Sequence, residues 1–562
     1  MKKTQMHERV LYANVREMME EIGERFGERC AFSYRLDPRD KDVQKKSYSE
    51  LRSDVRAMAT ELIARGYTGK HICVVSKMSY NWAVSYYAIM CAGAVLVPLD
   101  KDWNAEELTD TAKNAEASLI LADKESFEKA RVMAQGVGID EPLILEGENN
   151  GIDELINAGN EKIKNGDNAY FDLQIDAKKL ALLVFTSGTT GKGKGVMLTQ
   201  SNILEDISFI IPYVNYQVKT IALLPPHHTF GSTITILGQN SLGCEIYISS
   251  GIRYVQRELV EQKPGHAIMV PLYLETFYRK IQAKLKDTGK EKLVRFMIKV
   301  SNGLRKIGID IRRKLFKDIL AAFGGEIRMV ICGGAALNQE IADFFDAVGV
   351  GLINGYGITE CAPVISVNHS KHVIKGSVGF PGDVVDVKIA DPNEDGEGEI
   401  CVKGPNVMLG YYKNEEATRE AFDEEGYFKT GDYGKIGKEG ELYITGRKKN
   451  LIILSNGKNV YPEEIESEFI AVPGLVDIVV YEGQSKRGNV YNAIVAEIYP
   501  DKDYFEKEKI TDIDSYFKKF VDEYNKTAVA YKRIAILKVR ENEFPKNTLR
   551  KIMRFKIDMS ID

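Results

Sequence analysis

The 562-residue sequence is short of the features that mark disulfide-stapled, zinc-binding, membrane-spanning and nucleic-acid-binding proteins. Its seven cysteines, at positions 30, 73, 91, 244, 332, 361 and 401, are odd in number and no two are spaced C-x-x-C. They imply neither a disulfide framework nor a zinc site, and most are expected to be buried as small hydrophobes in a reducing compartment. The opening stretch MKKTQMHERVLYANVREMMEE lacks the apolar middle of a signal peptide, and no uncharged apolar run is long enough to span a bilayer. The expectation is a soluble, cytoplasmic protein. A net charge of −5 provides no overall basic field, so nucleic acid is not an expected partner. With 44% hydrophobic and 28% charged residues the chain is ordinary globular protein, long enough for several domains or for one large core plus a smaller unit.

What is present begins with residues 182–202, LLVFTSGTTGKGKGVMLTQSN. Glycines let backbone N–H groups converge on phosphate oxygens, Thr186, Ser187, Thr189 and Thr190 add hydroxyls, and Lys192 and Lys194 add charge. Gly188, Gly193 and Lys194 match the first part of a Walker loop, but residue 195 is Gly and the next residues, GVMLT, alternate like a strand. A helix begins only near Ser201, so the spacing predicts strand, phosphate loop, strand rather than a loop that opens a helix. A solvated glycine turn that holds nothing is the alternative.

The first third of the chain alternates helical and extended runs. Leu51, Val55, Met58 and Leu62 form a helical stripe, with Ser47 and Glu50 spaced as a capping box and Gly66 as its stop. Strands at 71–75, 94–98 and 118–122 and helices at 79–92 and 106–114 continue a βα pattern, which implies parallel sheet covered by helices. Past Asp391, short runs such as GEICVKG, YFKTGDYG and ELYITG indicate a β-rich unit, and a mixed α/β tail follows Arg447. Residues 292–317 are almost purely basic in charge, with Leu293, Phe296, Met297 and Val300 at helical spacing. That composition suits an anionic membrane surface, while the more ordinary reading is a packed surface helix pair with a solvated basic face. On the membrane reading Arg305, Lys306, Arg312 and Arg313 are the expected lipid-facing cations.

Five fragments then line up: FTSGTTGKGKG (185–195), NGYGITE (354–360), YFKTGDYG (427–434), GRKKNLIILSNGKNVYPEEIE (446–466) and PKNTLRKIMR (545–554). In this order they resemble the adenylate-forming enzymes, the acyl- and aryl-CoA synthetase superfamily, over nearly the whole chain. The resemblance implies an α/β fold with a large multi-sheet N-terminal domain, 1–448, carrying a β-rich subdomain at about 380–447, and a small mobile α+β lid, 449–562, pivoting near Lys449. It also implies the chemistry: a carboxylate attacks the α-phosphate of ATP, pyrophosphate leaves, and a thiol displaces AMP from the acyl-adenylate. Charge spreads over phosphoryl and carbonyl oxygens in both steps, so positioning and cationic stabilisation dominate.

Carried over by resemblance, Thr186, Ser187, Gly188, Thr189, Thr190, Gly191 and Lys192 cradle the phosphates, and Thr186 with Glu360 holds Mg²⁺, a hard cation suited to oxygen ligands. Tyr356, within Asn354, Gly355, Tyr356 and Gly357 and followed by Thr359, would stack on adenine. Gly333, Gly334 and Ala335 form part of the same pocket. Asp432 would accept from ribose hydroxyls, Arg447 would contact ribose or phosphate, and Lys551 would reach from the lid to the reacting carboxylate and α-phosphate. His228, in LPPHHTFGS, stands where the family often has an aromatic or His beside the incoming acid. In the rotated lid, SNGKN (455–459) would line the thiol channel. Two departures are plain: Arg550 replaces the frequent Gly before the lysine, and Gly193 replaces a frequent proline. Neither removes a reacting group.

VPLYLETFYRKI (270–281), the basic insertion and GYGITECAPVISVN (355–368) resemble the long-chain fatty acyl branch, so a medium- to long-chain fatty acid is the expected substrate. Coenzyme A is the expected thiol and an acyl-carrier protein the alternative. Peripheral contact with the inner face of the membrane would aid delivery of such an acid. A non-catalytic nucleotide-binding protein is the remaining alternative, and it would call for the loss of Lys551, Glu360 or Asp432. Nothing in the sequence sets the oligomeric state.

Overall fold

The computed structural model describes residues 5–146, 151–186, 193–454, 458–484, 493–546 and 552–561. The first long helix, α1 (Tyr48–Ala64), starts where Ser47 Oγ accepts from the Glu50 N–H at 3.1 Å and Glu50 Oε2 accepts from the Ser47 N–H at 2.7 Å. It stops before Gly66, whose φ of +77° suits glycine. Leu51, Val55, Met58 and Leu62 all lie in the core, each worth about 1.5–3 kcal/mol when fully buried.

The βα alternation continues as expected with β1 (His71–Val75), α2 (Tyr80–Cys91), β2 (Val95–Leu99) and β3 (Ala117–Ala122). β4 (Leu180–Thr186) and β5 (Lys194–Thr199) then form an antiparallel pair, and α3 (Gln200–Ile210) follows directly behind a Thr199–Asn202 capping box. These strands belong to a seven-stranded sheet ordered 410–411, β5, β4, β2, β1, β3 and 143–144. β1, β2 and β3 pair in parallel, as covering helices require.

A five-stranded sheet contains β6 (His266–Met269); after it the chain forms α4 (Pro271–Asp287) and α5 (Glu291–Arg305) before returning as β7 (Met329–Cys332). Beyond β7 come α6 (Gln339–Val348) and β8 (Gly351–Gly357). β6, β7 and β8 are parallel neighbours, with Cys332 opposite Asn354. The next sheet is antiparallel and contains β9 (Gly398–Lys403); the chain then contributes the two-residue strand β10 (Gly410–Tyr411) to the far edge of the seven-stranded sheet. It returns as the hairpin of β11 (Phe428–Ile436) and β12 (Leu442–Arg447). Residues from Ile452 onward build a hydrophobic core of their own, which includes Ile465 and Phe469 of α7 (Pro462–Phe469).

Six of the seven cysteines are buried and all seven are free thiols. Among the described residues no helix is long and apolar enough to cross a membrane.

The 292–317 segment departs from the expectation of a helix whose exposed side is simply basic. α5 turns Val294 and Ser301 inward and leaves Leu293, Phe296 and Val300 exposed. Arg305 and Arg312 both bind Asp346, and Arg313 donates to the carbonyls of Ile327, Gly349 and Gly325. These three arginines brace the insertion against α6 and its flanking turns, which corrects their reading as lipid-facing cations.

Candidate active site

The β11–β12 register sets Asp432 directly opposite Arg447, and Arg447 Nε lies 3.0 Å from Asp432 Oδ1. Tyr356, on β8, donates from its hydroxyl to Asp432 Oδ2 at 2.7 Å. Burial, reinforced by the Asp432 charge, pushes the Tyr356 phenol well above its ordinary range, so it keeps its proton and acts as a donor. The carboxylate is buried while Arg447 remains half exposed. The Thr430 hydroxyl accepts from the Asp432 N–H at 3.1 Å, closing the T-G-D turn that aims the acid.

Glu360 sits on the short turn after β8. Gly357 makes that turn possible, because a Cβ there would stand 2.2 Å from the Pro363 carbonyl oxygen. The Met408 N–H donates to the Glu360 carbonyl at 2.8 Å, and the Tyr411 hydroxyl donates to Glu360 Oε1 at 3.0 Å. Tyr411 lies on β10, opposite Val196 of β5, and its ring carries the Lys194 ammonium 4.7 Å from its centroid. One tyrosine thus joins the second lysine of the glycine-rich loop to the acid of NGYGITE. Burial raises the Glu360 carboxyl above the usual range, opposed by the Tyr411 hydrogen bond and the Arg447 charge.

Behind this acid is a buried polar lashing. Asn202 of α3 donates to the carbonyls of Pro405 and Val407 at 2.7 and 3.0 Å. Asp206 accepts from the Val364 N–H at 2.9 Å, and Asn406 donates to the carbonyls of Cys361 and Val364 at 3.0 and 2.8 Å. The segments carrying Glu360 and Tyr411 are thereby tied to α3, the helix that follows the β4–β5 hairpin. Sequence reasoning missed Tyr411, Asp206 and Asn406; the only local signal was the Gly-Tyr-Tyr run ahead of the Asn414 helix cap.

The expected pocket residues converge at the carboxyl ends of β7 and β8, where open parallel sheets place ligands. Gly333 is buried at the end of β7. A Cβ on it would lie 3.3 Å from both the Gly355 carbonyl and the Phe230 ring. Gly334 has φ +83°, and it and Ala335 are exposed. The Asn354 carbonyl accepts from the Asn368 N–H at 2.9 Å, and Thr359 opens the Glu360 turn. Thr186 ends β4 opposite Lys194 and donates weakly to its carbonyl at 3.4 Å. Gly193 lies so near that a Cβ would stand 2.8 Å from the Thr186 carbonyl, so the replacement of proline by glycine suits this tight hairpin mouth. Ser187, Gly188, Thr189, Thr190, Gly191, Lys192, Arg550 and Lys551 lie outside the described residues, as do Ser455, Asn456 and Gly457 of the proposed thiol channel.

His227 and His228 pack ring on ring at 4.1 Å, and His227 Nε2 is 3.4 Å from Asp100 Oδ2. Burial holds the His227 imidazole down to about 4. The pair precedes a π-helix, Phe230–Gly238, a form that often marks functional sites and that no periodicity signalled. Through the Phe230 ring this helix reaches Gly333. Lys449 lies in the turn Lys448–Asn450 that begins where β12 ends, and burial lowers its ammonium.

Thr186 and Glu360 suit Mg²⁺ as a hydroxyl and a carboxylate. Among the described residues no group of three or more His, Cys, Asp and Glu side chains could hold a metal alone. This donor set fits an ion that completes its shell with nucleotide phosphates and water.

A family model described as AMP-binding enzyme matches residues 19–412. A long-chain-fatty-acid–CoA ligase of Mycobacterium tuberculosis, FadD15, is 30% identical over 464 residues, 78% of this chain and 75% of that protein. A chloroplastic long-chain-fatty-acid–[acyl-carrier-protein] ligase of Arabidopsis thaliana, AEE15, is also 30% identical, over 83% of this chain and 74% of its own. In fold, the chain superposes on the anthranilate CoA ligase AuaEII in complex with anthranoyl-AMP with a TM-score of 0.77 at 18% identity, covering 97% of each. For ATP-bound MatB from Rhodopseudomonas palustris the TM-score is 0.73 at 23% identity, over 96% of this chain and 97% of that one.

Proposed function

This chain belongs to the AMP-binding enzyme family, and from that premise we propose that it joins a medium- to long-chain fatty acid to the thiol of coenzyme A through an acyl-adenylate. It is an AMP-forming acid–thiol ligase. The observation that carries the site reading is the Lys194–Tyr411–Glu360 chain lying close to the Asp432–Arg447–Tyr356 cluster, with charges near enough to shift one another. Such an array presents cations to phosphate oxygens and fixed acceptors to the sugar.

In this reading Thr186 and residues 187–192 hold the outer phosphates, with Lys194 behind them. Asp432 receives the ribose hydroxyls with Arg447 at its side, and Tyr356 and the Gly333, Gly334, Ala335 turn flank the base. Mg²⁺ held by Thr186 and Glu360 would neutralise the charge that develops as pyrophosphate leaves. His228 orients the incoming acid, and Lys551, carried on the 449–562 lid, bridges acid and α-phosphate. The turn at Lys449 would let the lid exchange that lysine for the 455–459 loop when the thiol enters. The fatty-acid relatives support the choice of acid, and the Arabidopsis relative supports a second reading in which a carrier-protein thiol is the acceptor.

Pyrophosphate exchange with acids of graded length tests the first half, and AMP release with coenzyme A against a carrier protein tests the second. Highest kcat/KM for acids of roughly eight carbons or more, as the medium- to long-chain assignment requires, supports the proposal. Preference for short or aromatic acids overturns the acid, and activity with a carrier protein alone overturns the acceptor.

A further inference from the structure

α5 breaks the usual rule for a surface helix, because its outward face is where much of its apolar side-chain area lies. Leu293 is 54% exposed, Phe296 64% and Ile307, just past the helix end, 71%; Val300 and Ile309 are exposed as well. At 3.6 residues per turn, positions 293, 296, 300 and 304 fall within about 80° of the circumference. Lys292 and Lys299, seven residues apart, run along one flank of that stripe, and Lys306 at the C-cap continues the row. All three lysines are exposed.

The neighbouring acids are engaged. Glu291 lines the cavity of about 360 Å³ between α4, α5 and α6, and Asp310 is bound by Arg312. The other side of α5 packs through Val294, with Met297 and Ile298 against the same core. The orientation of the helix is therefore fixed, and the apolar stripe is not a buried face seen from the wrong side. Single exposed leucines are ordinary, but five apolar side chains beside three lysines, with the adjacent acid Asp310 already paired to Arg312, form a patch with a defined chemistry.

We propose that this face docks on an anionic lipid surface, with Leu293, Phe296, Val300 and Ile307 entering the headgroup–acyl boundary and the Lys292, Lys299 and Lys306 ammoniums meeting lipid phosphates. Charge complementarity selects this occupant: a stripe seated between neutral protein surfaces would not call for a flanking lysine row, whereas lysines extend their stems along apolar surface and keep their heads at the headgroup level. Arg305, Arg312 and Arg313 take no part, being occupied within the fold. The benefit of docking rests on the fatty-acid reading, because such acids partition into bilayers; the docking itself does not.

The test is flotation of the full-length protein with vesicles of phosphatidylcholine and phosphatidylglycerol, three to one, against pure phosphatidylcholine, at low and physiological salt. The wild type is expected to float with the anionic vesicles and to be released by salt, as exposed charges are screened. K292Q/K299Q/K306Q is expected to lose on the order of 30-fold or more in partitioning, as loss of three interfacial lysines implies. L293S/F296S is expected to lose binding to a similar degree with an unchanged melting temperature. Pyrophosphate exchange with detergent-dispersed acid should be unaffected in both variants. No flotation by the wild type at low salt, or equal flotation of all three proteins, overturns the inference. A wild-type dimer in light scattering that the serine variant turns to monomer would also overturn it and assign the face to a second copy. If no fatty acid supports exchange while flotation behaves as expected, the substrate reading fails and the docking surface stands.

Discussion

The surroundings of Glu360 and the outer face of α5 break the burial rule in opposite directions. Around Glu360, polar groups are buried and cross-linked across long stretches of chain: Asp206 with Val364, Asn202 with Pro405, Tyr411 with Glu360. On α5, apolar groups are exposed and touch little. Buried polar groups are costly unless each finds its partner, so their presence marks a geometry that has to be held. Exposed apolar groups forgo burial energy, so their presence marks a surface that is completed by something outside the chain. The first region is built for precision and the second for contact, and substitutions should separate them.

The largest effect is expected from Asp432→Ala, which leaves the Tyr356 hydroxyl and the Arg447 guanidinium without their shared acceptor. Each hydrogen bond to this carboxylate is one to a charged group, worth about 1.5–3 kcal/mol, so kcat/KM for ATP in pyrophosphate exchange should fall on the order of 100-fold. A variant within threefold of wild type would remove Asp432 from the site. Tyr411→Phe comes next: it deletes the hydrogen bond to Glu360 and keeps the ring under Lys194. A bond to a charged group is worth about 1.5–3 kcal/mol, so roughly a tenfold fall or more is expected, felt in KM for Mg-ATP and in Mg²⁺-dependent nucleotide binding measured by calorimetry. Tyr411→Leu should fall further, by the loss of the cation–π contact, about 0.5–1 kcal/mol.

Asp206 gives a pH signature. Full burial pushes its carboxyl well above the usual carboxylate range. From about pH 4 upward the unfolded chain has shed a proton that the native one retains, so this group's stabilisation is complete below that pH and declines as pH rises toward the native pKa. The slope is about 1.4 kcal/mol per pH unit. Asp206→Asn has no proton to lose, so its stability relative to wild type should rise between pH 5 and pH 7 in urea denaturation. A constant difference across that range would mean that Asp206 is ionised in the native protein. The smallest effect is expected from Phe296→Ser: a change in stability within about 0.5 kcal/mol, as for a surface site without buried contacts. A loss of several kcal/mol would show that α5 is packed rather than presented, and the contrast between the regions would collapse.

Local rules made much of this legible. Capping at Ser47, the strand–loop–strand reading of 182–202 and the β-rich run past Asp391 depend on neighbours in sequence, and the structure follows them. The pairing of Asp432 with Arg447 was implied as two separate contacts with nucleotide; the hairpin register is what makes them partners. Tyr411 was not legible because its significance comes from β10 pairing with a strand about two hundred residues earlier. The case of α5 differs again. Periodicity revealed its apolar stripe, but a stripe has the same spacing whether it faces the core or the solvent, and only Val294 and Ser301 against α4 and α6 decide which.

The pairing of β10 with β5 also has a consequence for synthesis. Gly410 and Tyr411 close the edge beside Met197 and Val196, so the hairpin that frames the glycine-rich loop leaves the ribosome long before the strand that covers it. At about 5–20 residues per second, that edge stays open for roughly 10–40 s. An uncovered strand edge is a template for pairing with other chains. The strand that follows the glycine-rich loop is thus an edge that has to be guarded in the nascent protein, and its cover arrives with the tyrosine that holds Glu360.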